Sequence, residues 1–427
     1  MSEIRSTTIR GRHPVWFLAS LGSVVGVGAI LRILHLSHGT LFRDDAWVAL
    51  TSHVDFSTAW KMVGASPGYI IGMRQWIDIV GHTTWLQQLP TLVVSIASLL
   101  ALGALARWWG LSRVSTILIV SVLAGSRIAV EYSTHLKPYS HDLLMASLLL
   151  FTAAKASRER SVWWFAGACV VSVTTSLTAL PLVVGGAAVV LTRSMRQGTA
   201  RHLVGPLVGV GLPLLVFAWV VQRGLSPRLH ESWTSNFVDV SSIGGFVSSS
   251  TDIVRGLLWG LVDSTPRIGI PALGGFIVLV FAVVVVIGSC QRGRSTLPVI
   301  GIACAYLAAV LGVIPLGTGR TDSYLYVPLL ILFGLGLDTV MNRIRRGALR
   351  TISVGLVSII PFVGLYDRIV YHQPYPGGDF HAVAAVISDT VHDGGNVIVE
   401  GTARWPYAYY SAKSLTLEFS PNYNTGF

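Results

Sequence analysis

The sequence predicts an α-helical polytopic membrane protein, and three observations carry that prediction. Of the 427 residues 52% are hydrophobic and only 12% are charged, with a mean hydropathy of +0.63, far from the balance of a soluble domain. The apolar residues gather into about eleven runs, several short for a bilayer core of ~30 Å, which takes ~20 residues of straight helix. Basic residues fall between those runs, so the net charge of +11 forms no basic face of the kind that binds nucleic acid.

The expected spans are Val15–Leu36, Leu89–Ala106, Val114–Val130, Pro138–Ala154, Val162–Leu177, Thr178–Leu191, Val204–Val221, Ile268–Ser289, Leu297–Pro315, Tyr324–Val340 and Ile352–Leu365. The first exceeds a signal-peptide core and lacks a small-residue cleavage site, so it reads as a retained span. Thr178 marks the weakest boundary, because the thirty residues around it are too many for one helix and barely enough for two. Cys169, Cys290 and Cys304 lie in or beside apolar runs, with no disulfide or zinc spacing.

Charge sets the orientation. With the N-terminus in the cytoplasm, the cytoplasmic segments hold 17 of the 31 basic residues, among them Arg107, Arg113, Arg193, Arg196, Arg292, Arg294, Arg343, Arg345 and Arg346. Glu3, Glu159 and Asp338 are the acidic residues on that side. Lys and Arg in short loops favour the cytoplasm, so the expected location is the plasma (inner) membrane, with an extracytoplasmic C-terminus.

Polar sequence concentrates on the expected outer side. Ser37–Gln88 is too long for a simple connection and carries Trp47, Trp60, Trp76 and Trp85, which predicts short interfacial helices divided by Gly64-Ala65-Ser66-Pro67-Gly68. A second outer loop, Gln222–Arg267, contains a surface helix expected over Asp252–Asp263. Residues 1–370 thus form the membrane module, and 371–427 read as a small α/β segment that looks incomplete. In that segment His381–Ile387 suggests an amphipathic helix, Asn396–Glu400 and Leu415–Phe419 strands, and Ala403–Tyr410 a short helix. It is too small to bury a core alone, so it is expected to dock on the outer loops.

Three polar clusters fall on that side. The first is Arg43-Asp44-Asp45, where an Asp either caps a helix beginning at Ala46 or serves chemistry at the membrane edge. The second, Glu131 to Asp142, packs Glu131, Tyr132, His135, Lys137, Tyr139, His141 and Asp142 into one tight connector, with Pro138 suited to the first helical position. The third is Leu316-Gly317-Thr318-Gly319-Arg320-Thr321-Asp322-Ser323-Tyr324: a glycine turn capped by Asp322, or a close backbone approach to a ligand with Arg320 offering its planar fork to phosphate.

This layout resembles the GT-C glycosyltransferases, nearest to the branch of protein O-mannosyltransferases and lipid A aminoarabinose transferases. The resemblance rests on the acidic pair after the first span, the long first outer loop, the Glu131-x5-Lys137-x-Tyr139-x2-Asp142 cluster, the Arg320-x3-Tyr324-x3-Pro328 segment and the outer C-terminal piece. It implies inverting transfer of a sugar from a polyprenyl-phosphate donor to the hydroxyl of a glycan, lipid or protein acceptor. It assigns the catalytic acids to Asp44, as general base, and Asp45, and the donor phosphate to Lys137, Arg320 and His135. Arg43, Glu131, Tyr139, Asp142 and Tyr324 would hold the acceptor, and a divalent ion (Mg or Mn) on Asp45 and Glu131 is the candidate cofactor. The competing classes are a non-catalytic lipid- or glycan-binding membrane subunit and a transporter. A transporter needs ionisable groups near mid-membrane, whereas nearly all of these sit at span ends.

Overall fold

A computed structural model describes residues 14–37, 39–56, 58–59, 66–159, 162–198, 211, 233–262, 271–344, 347–370, 380–392 and 404–411. Its elements are α1 (Val15–Ile33), α2 (Arg43–Ala49), α3 (Pro67–Val80), α4 (Thr84–Trp108), α5 (Arg113–Gly125), α6 (Arg127–Glu131), α7 (Tyr139–Glu159), α8 (Trp163–Thr175) and α9 (Leu180–Arg196). There follow α10 (Ile243–Val262), α11 (Pro271–Ser289), α12 (Thr296–Val310), α13 (Tyr326–Arg343), α14 (Gly347–Val370), α15 (Phe380–His392) and α16 (Arg404–Ser411). Short 3-10 turns, Leu50–His53, Leu177–Ala179 and Ser323–Leu325, extend α2 and lead into α9 and α13.

Five of these helical stretches are long and apolar enough to cross a bilayer: Val15–Ile33, Thr84–Trp108, Leu177–Arg196, Ala272–Ser289 and Ser323–Arg343. Three shorter apolar helices, α5, α8 and α12, join them, and the chain is an integral membrane protein. Ten of the eleven expected spans coincide with helices; Val204–Val221 lies outside the described residues apart from Gly211. The boundary at Thr178 is a 3-10 turn between two helices, so the thirty residues do make a pair.

The remaining differences have local causes. Val114–Val130 is not one helix but α5 and α6, broken at Ser126, whose backbone is extended. α7 begins at Tyr139, so Pro138 precedes the helix and its carbonyl accepts the amide of Asp142. The expected surface helix at Asp252 starts instead at Ile243, with the Ser242 hydroxyl accepting the amide of Gly245 at its first turn. The described residues are helical or irregular, and the two expected strands, Asn396–Glu400 and Leu415–Phe419, lie outside them.

α13 is the central helix. From Tyr326 to Leu337 every residue is buried, while α1 leaves Val15, Leu18, Ile30 and Ile33 exposed, as a helix facing lipid would. Van der Waals fit holds the centre together, because lipid gives apolar helices no water to escape. Phe281 stacks on Phe333 at 4.5 Å between ring centroids. Glycines let the two backbones meet: a methyl on Gly336 would collide with the Val284 carbonyl, and one on Gly288 with the Leu332 carbonyl. At one end of the bundle, Trp109 and Arg294 exchange side-chain-to-backbone hydrogen bonds, and Asp338 accepts from the Ser112 amide and the Ser115 hydroxyl. The opposite end gathers the C-termini of α1 and α5 and the N-termini of α4, α7 and α13, and there the polar clusters lie.

The Gly336→Ala substitution is expected to destabilise the protein by ~1–3 kcal/mol, the usual cost of overpacking. Gly22→Ala, whose methyl meets open space, serves as the control. Thermal unfolding in detergent measures both; equal melting temperatures would remove the α11–α13 contact from the account.

Candidate active site

α2 is seven residues long, too short to be stable alone, so its position must come from tertiary contacts. It begins at Arg43 after an extended Phe42 and has no side-chain cap. Neither aspartate is therefore the cap; both sit in the first turn, where negative charge is favoured by the free N–H groups. Adjacent helical residues point about 100° apart, following 3.6 residues per turn. That geometry separates the two acids.

Asp45 turns inward and is fully buried. One carboxylate oxygen accepts the amide of Leu136 at 2.8 Å, and the other is 2.9 Å from Nδ1 of His135. Both contacts lie on the connector between α6 and α7, so this carboxylate fastens α2 to the second cluster. Burial disfavours the charged imidazole of His135, but the attraction of Asp45, its hydrogen bond and the more distant Glu131 and Asp44 outweigh that and leave the pKa raised. His135 is further enclosed by the rings of Tyr132 at 5.0 Å and Phe42 at 5.9 Å.

Asp44 turns outward, with its side chain 35% exposed, and one oxygen lies 4.0 Å from the Arg320 guanidinium, itself 41% exposed. An exposed pair at that distance contributes only ~0–1 kcal/mol, and the Arg320 side chain also hydrogen-bonds Tyr132. The charged neighbours that act on Lys137 are Asp44, Asp45 and Arg320, although burial is the largest influence and lowers its pKa. Its ammonium sits 4.7 Å from the ring centre of Trp47, and Trp47 stacks on Trp405 of α16 at 5.6 Å. A cation held against an indole keeps N–H donors for a ligand. Asp44, Lys137 and Arg320 thus converge, with Tyr132 and Tyr139 as the aromatic neighbours of Arg320.

The glycine loop has a built interior. Asp322 accepts the amide of Gly317 at 2.7 Å and the hydroxyl of Thr318 at 3.3 Å, and the Tyr326 hydroxyl donates to the carbonyl of Gly319 at 3.0 Å. Burial raises Asp322 to about 6, against the hydrogen bonds from Gly317 and Thr318 that favour its ionised form. Gly317 and Gly319 have φ of 78° and 73°, in the left-handed region that glycine enters without strain. The turn reading and the cation reading of this segment therefore both hold, Asp322 serving the first and Arg320 the second.

The other predicted residues stand apart. Asp142 is fully buried and takes hydrogen bonds from the hydroxyls of Ser176 and, at 3.5 Å, Ser323, which ties α7 to the turns before α9 and α13. Tyr324 is fully buried and its hydroxyl has no hydrogen-bond partner among the described residues. Glu131 pairs with Arg127 at 3.5 Å on its own helix. Arg43 opens α2, and its side chain lies outside what is described. Of the two residues expected to hold a divalent ion, Asp45 has both oxygens engaged, and no group of three His, Cys, Asp or Glu able to hold a metal occurs among the described residues.

Two supports hold the site from outside the clusters, and the first of them was not anticipated from the sequence. Arg32, buried near the end of α1, gives its Nε–H to Ser95 at 2.8 Å and its other donors to the carbonyls of Gly28, Leu123 and Ala124 at 2.9 to 3.2 Å. The break at Ser126 leaves the last α5 carbonyls unpaired, and Arg32 satisfies them. An arginine inside an apolar run was the available signal. α16, close to the short helix expected over Ala403–Tyr410, is the second: besides Trp405, its Tyr409 hydroxyl receives a hydrogen bond from Gln87 at 2.6 Å and its Tyr410 hydroxyl one from the Leu41 amide at 2.8 Å. α16 thus packs on α2; apart from α15 and α16, the segment expected to dock on the outer loops lies outside the described residues.

No protein-family model matches the chain, and no curated protein matches it in sequence. Among solved structures it is similar to the arabinosyltransferase EmbB from Mycobacterium smegmatis, solved by cryo-EM, with a TM-score of 0.49 and 13% identity, over 97% of this chain and 44% of that one. It is also similar to ArnT from Cupriavidus metallidurans, solved as an apo crystal structure, with a TM-score of 0.46 and 14% identity, over 93% of this chain and 74% of that one. The chain therefore spans less than half the length of EmbB, and neither likeness assigns a role to a residue.

His135 supplies a pH test of the buried pair. Its folded pKa is raised above the ordinary 6.5, so its contribution to stability is complete below that value and is lost as pH rises through the folded pKa. The melting-temperature advantage of wild type over His135→Asn should accordingly be larger at pH 5.5 than at pH 8.5. An advantage that grows with pH would contradict the pairing.

Proposed function

We propose that this protein is an inverting glycosyltransferase that moves a sugar from a polyprenyl-phosphate carrier to an acceptor hydroxyl at the extracytoplasmic face of the plasma membrane. The observation that carries the proposal is the division between the two acids: Asp45 is used up in holding the site, while Asp44 remains accessible beside two cations, Arg320 and Lys137. The resemblance of the three sequence clusters to GT-C enzymes points the same way.

In this reading Asp44 accepts the proton of the acceptor hydroxyl as that oxygen attacks the anomeric carbon. The new carbon–oxygen bond forms as the bond to the carrier phosphate breaks, with inversion at carbon. Polyprenyl phosphate leaves with the electron pair, and the charge that develops on its oxygens is met by Arg320 and Lys137. Arg320 suits this because its fork matches two phosphate oxygens, and Lys137 because it adds a point charge. His135, enclosed by rings and paired with Asp45, supports that carboxylate rather than meeting the donor itself. No step uses a divalent ion, in keeping with the donor set. Placement on the outer side follows from the basic residues between the spans, which favour the cytoplasm.

The test follows release of polyprenyl phosphate and transfer of label from polyprenyl-phosphate sugars by the purified protein. Asp44→Asn should lower turnover by ~10²–10⁴-fold, the usual contribution of a general base, while carrier binding persists. Arg320→Ala and Lys137→Met should weaken donor binding as well as turnover. Wild-type protein that binds the carrier but never releases polyprenyl phosphate would be a lipid-binding subunit, and undiminished transfer by Asp44→Asn would remove that residue from the mechanism.

A further inference from the structure

α10 carries a feature that the catalytic reading leaves unused. One of its faces lies directly on the loop that holds Arg320: a methyl on Gly256 would strike the carbonyl of Gly317, and one on Gly260 would come within 3.2 Å of the Gly319 Cα. Beside that seam is an open cleft of ≈ 340 Å³ lined by Asp252, Arg255, Gly256 and Trp259. Its volume lies at the lower end of the ~300–1,000 Å³ typical of small-molecule sites.

The chemistry of the lining is specific. Asp252 and Arg255 are exposed and Trp259 is half-buried. Asp252 and Arg255 stand three residues apart on one helix face, a spacing at which opposite charges can pair, yet no ion pair joins them. The guanidinium lies instead over the Trp259 ring, 5.3 Å from its centre. The cleft therefore offers a carboxylate that only accepts, a guanidinium that only donates, and an indole. An anion would meet Asp252 and a cation would meet Arg255, so a charged ligand is opposed by one wall or the other. A neutral polyol is opposed by neither: adjacent hydroxyls donate to Asp252 and accept from Arg255, and C–H groups pack on the indole.

We propose that this cleft binds a neutral saccharide unit of the acceptor. The assignment to the acceptor rests on the transferase reading above, and it places the acceptor chain one loop away from Arg320 and Asp44. The sugar can come from a free glycan or from the headgroup of a glycolipid, since both present the same hydroxyls.

The experiment uses the whole protein in nanodiscs and reads retention of neutral di- and trisaccharides of glucose, mannose, galactose and arabinose. The same saccharides are presented free in one arm and attached to diacylglycerol in the other. Retention of at least one saccharide is expected, with a tenfold or greater loss in Trp259→Ala and in Asp252→Asn. Val254→Ala, on the same helix with an exposed side chain outside the cleft, should retain binding, which separates loss of the site from loss of the fold. Retention only in the lipid-linked arm, lost in Trp259→Ala, supports the cleft with a glycolipid source. Retention of no saccharide by wild type, or equal retention by Trp259→Ala, overturns it. A protein that binds a saccharide through Trp259 but consumes no polyprenyl-phosphate sugar keeps the cleft and loses the transferase reading.

Discussion

The site depends on one buried carboxylate. Asp45 joins a seven-residue helix to the connector between α6 and α7 through His135 and the Leu136 amide. Taking a carboxylate out of water costs several kcal/mol, and here one partially compensating cation and one backbone donor offset it. The arrangement is therefore sensitive to loss of a partner, which would leave the other groups buried and unsatisfied. It adds a directional tie to the apolar cluster in which Ala46, Val48 and Ala49 of α2 pack with Leu136 of the connector, and so helps fix the side from which Asp44 faces Arg320.

The same device recurs around the site. Arg32 satisfies carbonyls released where α5 ends, Asp142 collects hydroxyls from two neighbouring turns, and Asp322 closes the glycine loop. Each is a buried polar group that fixes the end of an element, and each element end carries or adjoins a candidate functional residue. In a membrane bundle this is a strong constraint, because apolar packing leaves helices free to slide and rotate whereas a buried hydrogen bond has one satisfactory geometry. The exposed members, Asp44 and Arg320, are left with side chains that solvent or a ligand can reach.

α16 adds a lid to that frame. Its Trp405 stacks on Trp47, which in turn backs Lys137, and Tyr409 and Tyr410 bond to Gln87 and Leu41 on the elements flanking α2. A segment that follows the last membrane helix thus shapes the surroundings of residues more than three hundred positions earlier. Such contacts couple α16 to the site through aromatic packing, which combines a large buried area with defined orientation.

The sequence by itself determined the helical membrane class, nine of the described helices to within about five residues at either end, and the three polar clusters, because apolar periodicity and charge placement are local properties of the chain. It also named Asp44, Lys137 and Arg320 as a set. It gave the base role to Asp44 and left Asp45 as a cap, a metal ligand or a support; that Asp45 is the buried acid, bound to Leu136 and His135, follows only from the direction each side chain takes from its helix. The break at Ser126 stayed hidden, because the α5–α6 stretch reads as one apolar run and its interruption is stabilised by Arg32, about ninety residues away. Asp142 and Tyr324 carried the residue types of a site but are buried in the core, and only the packing of α7 against α13 decided that. Which groups face one another is set by long-range contacts that no local pattern encodes, and the tertiary structure alone shows Asp44 beside Arg320 and Asp45 beneath the connector.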